Sequence, residues 1–175
     1  MLFRGKQPES SVWRRFRSGA DDFTFVQEPE HFEARVVANA ERIVDLLHAL
    51  AESLPPAVDV AIEDVRERRA WVGSGIALPD VREAIARLKA PLAAYGGVEI
   101  AVYTAEDQLT LTADLELYVY ARTDRWLYIL QGKGLHEVMS FEPQGWEFDA
   151  GALGAAPELS DAVAAAAERL GLEAQ

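Results

Sequence analysis

Residues 109–120 read LTLTADLELYVY, and the kind of fold this chain can adopt turns on that stretch. Leu109, Leu111, Ala113, Leu115, Leu117 and Val119 stand at alternate positions, with Thr110, Thr112, Asp114, Glu116, Tyr118 and Tyr120 between them. Successive side chains of an extended strand point to opposite faces, so a period of two marks a strand with one face in a core. The spacing predicts one long strand. Its inner face is aliphatic, and its outer face carries two tyrosines and two carboxylates.

Working outward, the same alternation precedes it. Val98, Ile100 and Val102 alternate with Glu99, Ala101 and Tyr103, and residues 105–107 turn the chain. After Thr123 and Asp124, residues 126–131 read as a further strand, Gly132-Lys133-Gly134 as a turn, and residues 135–141 as the last strand of the run. Paired residues share a sheet face, which tests the hairpin across Thr123-Asp124. A two-residue turn would set Tyr120 against Leu127, opposing a surface side chain to a core one. A three-residue loop pairs Tyr120 with Trp126 or Tyr128 and keeps the apolar faces together. The reading therefore gathers Tyr118, Tyr120, Trp126 and Tyr128 on one outer face. Tyr103 joins them if its strand is adjacent, with Glu99, Asp114 and Glu116 alongside.

Toward the N-terminus, Glu28-Pro29-Glu30 predicts a helix start, since proline fits the first turn and acids fit the positive end of the helix dipole. Phe32, Val36, Ala40, Ile43, Leu47 and Leu50 then form an apolar stripe that Pro55-Pro56 ends. Val58, Val60 and Ile62 alternate as a strand, and residues 70–76 read as another, bent at Gly73-Ser74-Gly75. Leu78-Pro79-Asp80 opens a second helix that Pro91 should kink or end, with Gly96-Gly97 as a stop. Pro157 starts a third, alanine-rich one. The expected fold class is α+β: one antiparallel sheet of about five or six strands flanked by three helices, in the order α-β-β-α-β-β-β-β-α. Similar element orders occur in roadblock-type and longin-type regulators and in secretion chaperones. That is a likeness of order alone, since no motif residue ties this chain to them. No repeat or low-complexity linker divides the chain, so residues 28–175 are read as one domain behind an N-terminal arm of residues 1–27.

The 175 residues suit a single domain with a sizeable core. No cysteine is present, which removes disulfides and thiolate chemistry. No run approaches the roughly 18 apolar residues of a membrane span, and a cytoplasmic setting is expected. The net charge of −12 is unevenly spread. Residues 1–20 hold five basic side chains against one acid, a balance of +4 that leaves −16 for the remainder. An acidic body disfavours nucleic acid and anionic membrane and favours basic partners. The exception is Trp13-Arg14-Arg15-Phe16-Arg17, where guanidiniums and aromatic rings alternate in a way suited to phosphate, anionic lipid or carboxylate.

Catalytic patterns are weak. Glu41, Asp45, His48 and Glu52 share a helical stripe, but one where solvated charge is expected, and no second segment offers metal ligands. His136-Glu137 lacks the second histidine of a zinc helix. Neither Gly132-Lys133-Gly134 nor Gly73-Ser74-Gly75 has the spacing of a phosphate loop. The expectation is a non-enzymatic interaction module, a small acidic adaptor, chaperone-like or neutralising protein, with no cofactor and no metal. It would bind another protein or a second copy of itself through Tyr103, Asp114, Glu116, Tyr118, Tyr120, Trp126 and Tyr128. The same aromatic pairs could equally serve only to stabilise the sheet. A small-molecule sensor or enzyme with a pocket between sheet and helices is the alternative. Membrane or nucleic-acid contact through the basic arm is a third.

Overall fold

Alternation along the chain sorts apolar side chains to one side of every strand, and the fold is built on that sorting. The computed structural model describes residues 21–141, 151 and 153–175. In chain order the elements are β1 (Asp22–Gln27), β2 (Phe32–Val37), α1 (Ala40–Ala51), β3 (Ala57–Asp64), β4 (Arg69–Ala77), α2 (Leu78–Tyr95) and β5 (Val98–Tyr103). There follow β6 (Asp107–Leu111), β7 (Leu117–Ala121), α3 (Arg125–Gly132), β8 (His136–Glu137), α4 (Pro157–Arg169) and β9 (Glu173–Ala174). The described residues thus form four helices and a single nine-stranded sheet, ordered β8-β1-β2-β7-β6-β5-β3-β4-β9. All neighbours are antiparallel except β1 and β8.

The mixed α+β class and the mostly antiparallel sheet agree with the sequence reading; the counts and several elements do not. The helix expected from Glu28 begins only at Ala40, where Asn39 caps it by accepting from the Arg42 amide at 2.8 Å. Residues 32–37 form β2 instead, with Ala34 and Val36 buried and Glu33 and Arg35 facing the other way. The stripe was deceptive because Phe32 and Val36 fit a period of two as well as one of four. Asp22–Gln27, read as the end of an arm, is β1 and pairs along its whole length with β2.

The predicted long strand is two strands joined by a tight turn over residues 112–116. Thr112 organises that turn: its amide donates to the Glu116 carbonyl at 2.8 Å, and its hydroxyl accepts from the Glu116 amide at 3.0 Å and donates to Asp114 Oδ1 at 2.6 Å. Leu115 takes a left-handed conformation (φ 62°), which costs a leucine about 1–2 kcal/mol. Its side chain is fully buried, and that burial holds it there. Residues 126–131 are helical, not extended, so the hairpin across Thr123-Asp124 and its odd loop do not exist. Of residues 135–141 only His136–Glu137 pair, in parallel with β1. Pro91 sits within α2 without ending it; the helix runs to Tyr95. Gly96 and Gly97 (φ 57° and 78°) then reverse the chain, and the Gly97 amide donates to the Ala113 carbonyl at 2.7 Å.

Three crossovers define the topology. β2 and β3 run parallel but stand apart in the sheet, with β7, β6 and β5 between them, and α1 spans the gap. α2 links β4 to β5 across β3, and α3 lies between β7 and β8. All four helices bury their apolar sides against the same sheet face. Ile43, Leu46, Leu47, Leu50, Ile85, Leu88, Leu92, Trp126, Leu130, Leu159 and Val163 meet Phe23, Val36, Val60, Ile100, Val102, Leu109, Leu111, Leu117 and Val119 in one core.

Polar clamps close two edges of that core. Asp107, at the start of β6, is buried; its Oδ1 accepts from the Trp126 indole at 2.9 Å and its Oδ2 from Arg125 at 2.6 Å. Arg125 also donates to the Ser53 carbonyl just past α1. At the other end, Arg66 donates to the carbonyls of Tyr95 (2.6 Å), Gly96 and Gly154 (2.9 Å), satisfying the last turn of α2 and tying in the segment before α4. Asp107→Ala leaves the buried Trp126 indole N–H without its acceptor and the half-exposed Arg125 without its carboxylate, and is therefore expected to cost about 1–3 kcal/mol. Urea unfolding checks this, and a loss below about 1 kcal/mol would mean that the carboxylate does not hold α3 in place.

Candidate functional site

The side chains between the core positions all point to the second face of the sheet, on which no described helix packs. Cross-strand pairing fixes who meets whom there. One row runs Val26, Glu33, Tyr120, Gln108, Tyr103, Asp59 from β1 to β3. The next runs Thr24, Arg35, Tyr118, Thr110, Ala101, Ala61, Val72 from β1 to β4. Beyond it Glu63 and Glu99 stand directly opposite each other on β3 and β5.

Two groupings carry the chemistry. Tyr118 and Tyr120 lie two residues apart on β7 and stack nearly parallel, ring centroids 6.1 Å apart and planes 11° from each other. His31 tilts against Tyr120 at 5.9 Å. Burial pushes both phenols up, helped by Glu116 beside Tyr118 and by Glu33 and Glu99 near Tyr120, so both stay neutral at physiological pH. Arg35 grips Glu116 with two bonds, Nε to Oε2 at 2.6 Å and Nη2 to Oε1 at 2.7 Å. That grip raises the guanidinium pKa further, and the Phe141 ring lies 5.0 Å from the same guanidinium.

The second grouping is like charge on neighbouring strands. Like charges directly opposite on neighbouring strands destabilise a sheet. Burial pushes the Glu99 carboxyl above its ordinary range, and the Glu63 and Asp114 carboxylates push it further. Among the described residues neither Glu63 nor Glu99 forms an ion pair, and no group of three His, Cys, Asp or Glu side chains could hold a metal ion. Beside Tyr120 and Gln108, in the middle of the first row, a cleft of about 270 Å³ opens, lined also by Glu30, His31, Thr104 and Arg122.

The expected site residues fall into three groups. Tyr103, Tyr118 and Tyr120 share the outer face with Glu99, Asp114 and Glu116 near them, although Tyr103 and Tyr120 are separated by Gln108 on β6. Trp126 and Tyr128 do not belong there. Trp126 is 0% exposed in the core, and Tyr128, 64% exposed, stands on α3, away from the sheet face. A short amphipathic run satisfies either period, and Asp107, nineteen residues back, selects the helix by binding Arg125 and Trp126. Trp13, Arg14, Arg15, Phe16 and Arg17 lie outside the described residues. Glu33, Arg35, Asp59, Glu63, Gln108 and Thr110 are on the face but were not among the expected site residues. The alternation of β3 does place Asp59 and Glu63 outward; what the sequence lacks is the long-range pairing that sets Glu63 against Glu99.

Ionisation of Glu99 opposes folding. A carboxyl whose folded pKa is raised contributes stability that is present below its ordinary pKa and lost as pH rises through the raised one. Glu99→Gln is accordingly expected to raise the melting temperature at pH 7.5 and to leave it unchanged near pH 4, read by circular dichroism. An equal shift at both pH values would assign the gain to something other than charge. No protein-family model, no curated protein and no solved structure matches this chain.

Proposed function

We propose that this protein is a non-enzymatic interaction module that receives a basic, aromatic-bearing segment of another protein on the second face of its sheet. The observation that carries the reading is the meeting, on a face on which no described helix packs, of the stacked Tyr118 and Tyr120 rings with the opposed Glu63 and Glu99 carboxylates. A guanidinium or ammonium laid over a tyrosine ring gains cation–π attraction, and placed between the two glutamates it relieves their repulsion. Aromatic side chains of the partner would lie against Tyr103, Tyr118 and Tyr120, which offer rigid area with a polar rim. Asp114 and the Arg35–Glu116 pair border this surface and set its charge.

An acidic adaptor, chaperone-like or neutralising role in the cytoplasm fits such a surface. Two copies pairing by this face would oppose like charges, so a basic segment is the favoured partner over the same face of a second molecule. A small-molecule pocket between sheet and helices is the weaker reading, because that layer is filled by aliphatic side chains such as Leu46, Leu47, Leu109 and Leu111. Nucleic acid and anionic lipid would meet the wrong sign of charge.

A synthetic peptide alternating arginine and phenylalanine serves as the probe in isothermal titration calorimetry. Affinity is expected to rise with pH as Glu99 ionises, since the cation prefers the charged carboxylate, and then to level off above the raised pKa. Tyr118→Ser and Tyr120→Ser are each expected to weaken binding about tenfold, the scale of one desolvated cation–π contact. Binding indifferent to both tyrosines and to pH would overturn the proposal.

A further inference from the structure

Resting on that reading of the face, we propose that the cleft beside Tyr120 is its anchor point and takes the guanidinium of one arginine side chain of the bound segment. The cleft lies between two hairpin turns. β7 stands between β2 and β6 in the sheet, and its end supplies the floor at Tyr120 and Arg122. One wall is the turn from β1 to β2, closed by the Glu28 amide donating to the His31 carbonyl at 2.8 Å. The other is the turn from β5 to β6. There the Thr104 amide donates to the Asp107 carbonyl at 2.8 Å, and the Thr104 hydroxyl accepts from the Glu106 and Asp107 amides at 3.2 and 3.1 Å. The Arg122 amide donates to the Glu106 carbonyl at 3.1 Å and fastens the floor to that wall. Both walls are held by backbone bonds before any ligand arrives, which lowers the cost of ordering them on binding.

The polar groups of the cleft select the ligand. Arg122 is already balanced, its Nε donating to the Ala105 carbonyl at 3.2 Å and lying 3.7 Å from Glu106 Oε2. Glu30 has no ion pair among the described residues. Gln108 pairs directly with Tyr120 across β6 and β7, and its Nε2 donates to Thr110 Oγ1 at 2.9 Å, which leaves Oε1 to accept from a ligand. His31, tilted against Tyr120 with ring centroids 5.9 Å apart, makes with it an aromatic wall. A guanidinium answers this set: it is flat, always charged, carries five N–H donors in a fixed fork, and is weakly hydrated enough to lie against a ring. An ammonium is a strongly hydrated point charge that a half-open cleft does not strip of water. A carboxylate or phosphate would meet the Glu30 and Glu106 charges. The volume of about 270 Å³ falls below the roughly 300 Å³ at which pockets for drug-sized ligands begin, and suits a single side chain. Tyr120 also stacks on Tyr118, so a segment anchored here continues onto the outer face.

Arginine with both termini blocked is the probe, titrated into isotope-labelled full-length protein and followed by NMR. The amide signals of His31, Gln108 and Tyr120 are expected to shift, with affinity in the millimolar range. Blocked citrulline, of the same shape without the charge, and blocked lysine are each expected to bind at least about fivefold more weakly. Glu30→Gln, at an exposed turn position, is expected to weaken arginine binding about threefold. Gln108→Glu, which sets a carboxylate where the amide oxygen stands, is expected to tighten it by about the same factor. Citrulline or lysine binding as well as arginine overturns the inference, as does acetate shifting the same three amides. Free arginine binding about a hundredfold more tightly than the blocked form also overturns it, because the cleft would then serve a small molecule and not a protein segment. Shifts confined to Glu63 and Glu99 remove the anchor and leave the face as a site for basic segments. No shift with either blocked arginine or the alternating arginine–phenylalanine peptide sinks both.

Discussion

Among the described residues, helices cover one side of the nine-stranded sheet and none packs on the other, and much of the structure follows from that asymmetry. The covered face is aliphatic from β1 to β4, and four helices close over it. Because the strands are pleated, every residue committed to the core commits its neighbours to the opposite face. The composition of the second face is therefore not free to vary independently of the core. Its tyrosines, threonines and carboxylates sit where the alternation leaves them, in rows that cross the sheet.

Such a face can be made inert by pairing opposite charges across strands, and in part it is, as with Arg35 and Glu116. Elsewhere, among the described residues, carboxylates stand without an ion pair. Glu63 opposes Glu99 directly, with Asp114 adding to the repulsion. A sheet selected for stability alone would not keep that arrangement, and local rules are most often broken where a protein does its work. The clamp at Asp107 makes the contrast plain: there a buried carboxylate is met by the Arg125 guanidinium and the Trp126 indole and fastens a helix to the sheet.

The outer-face residues were legible where the signal was local. Tyr103, Tyr118 and Tyr120 follow from alternation within their own strands, and so do Glu99 and Glu116. Trp126 and Tyr128 were misplaced because eight residues with apolar positions at 126, 127, 129 and 130 satisfy a strand and a helix alike. The same ambiguity turned β2 into the first turns of a helix. The 109–120 stretch misled in another way: its alternation is unbroken, and only the Thr112 hydrogen bonds and the left-handed Leu115 fold it into a turn.

By itself, then, the sequence determined the α+β class, the extended state of β3 to β6, the helix that begins at Leu78, and the division of each strand into an aliphatic and a polar side. These are properties of near neighbours, set by a period of two or of 3.6 and by proline and glycine at the ends. Tertiary structure decided the strand order, the assignment of residues 32–37 to β2 and 125–132 to α3, and the opposition of Glu63 to Glu99. Each depends on groups far apart in the chain. Asp107 selects a helix nineteen residues on, and β3 reaches Glu99 only because α2 carries the chain back across the sheet. Local periodicity says which side of a strand a residue faces, while only the pairing of distant strands says what it faces beside.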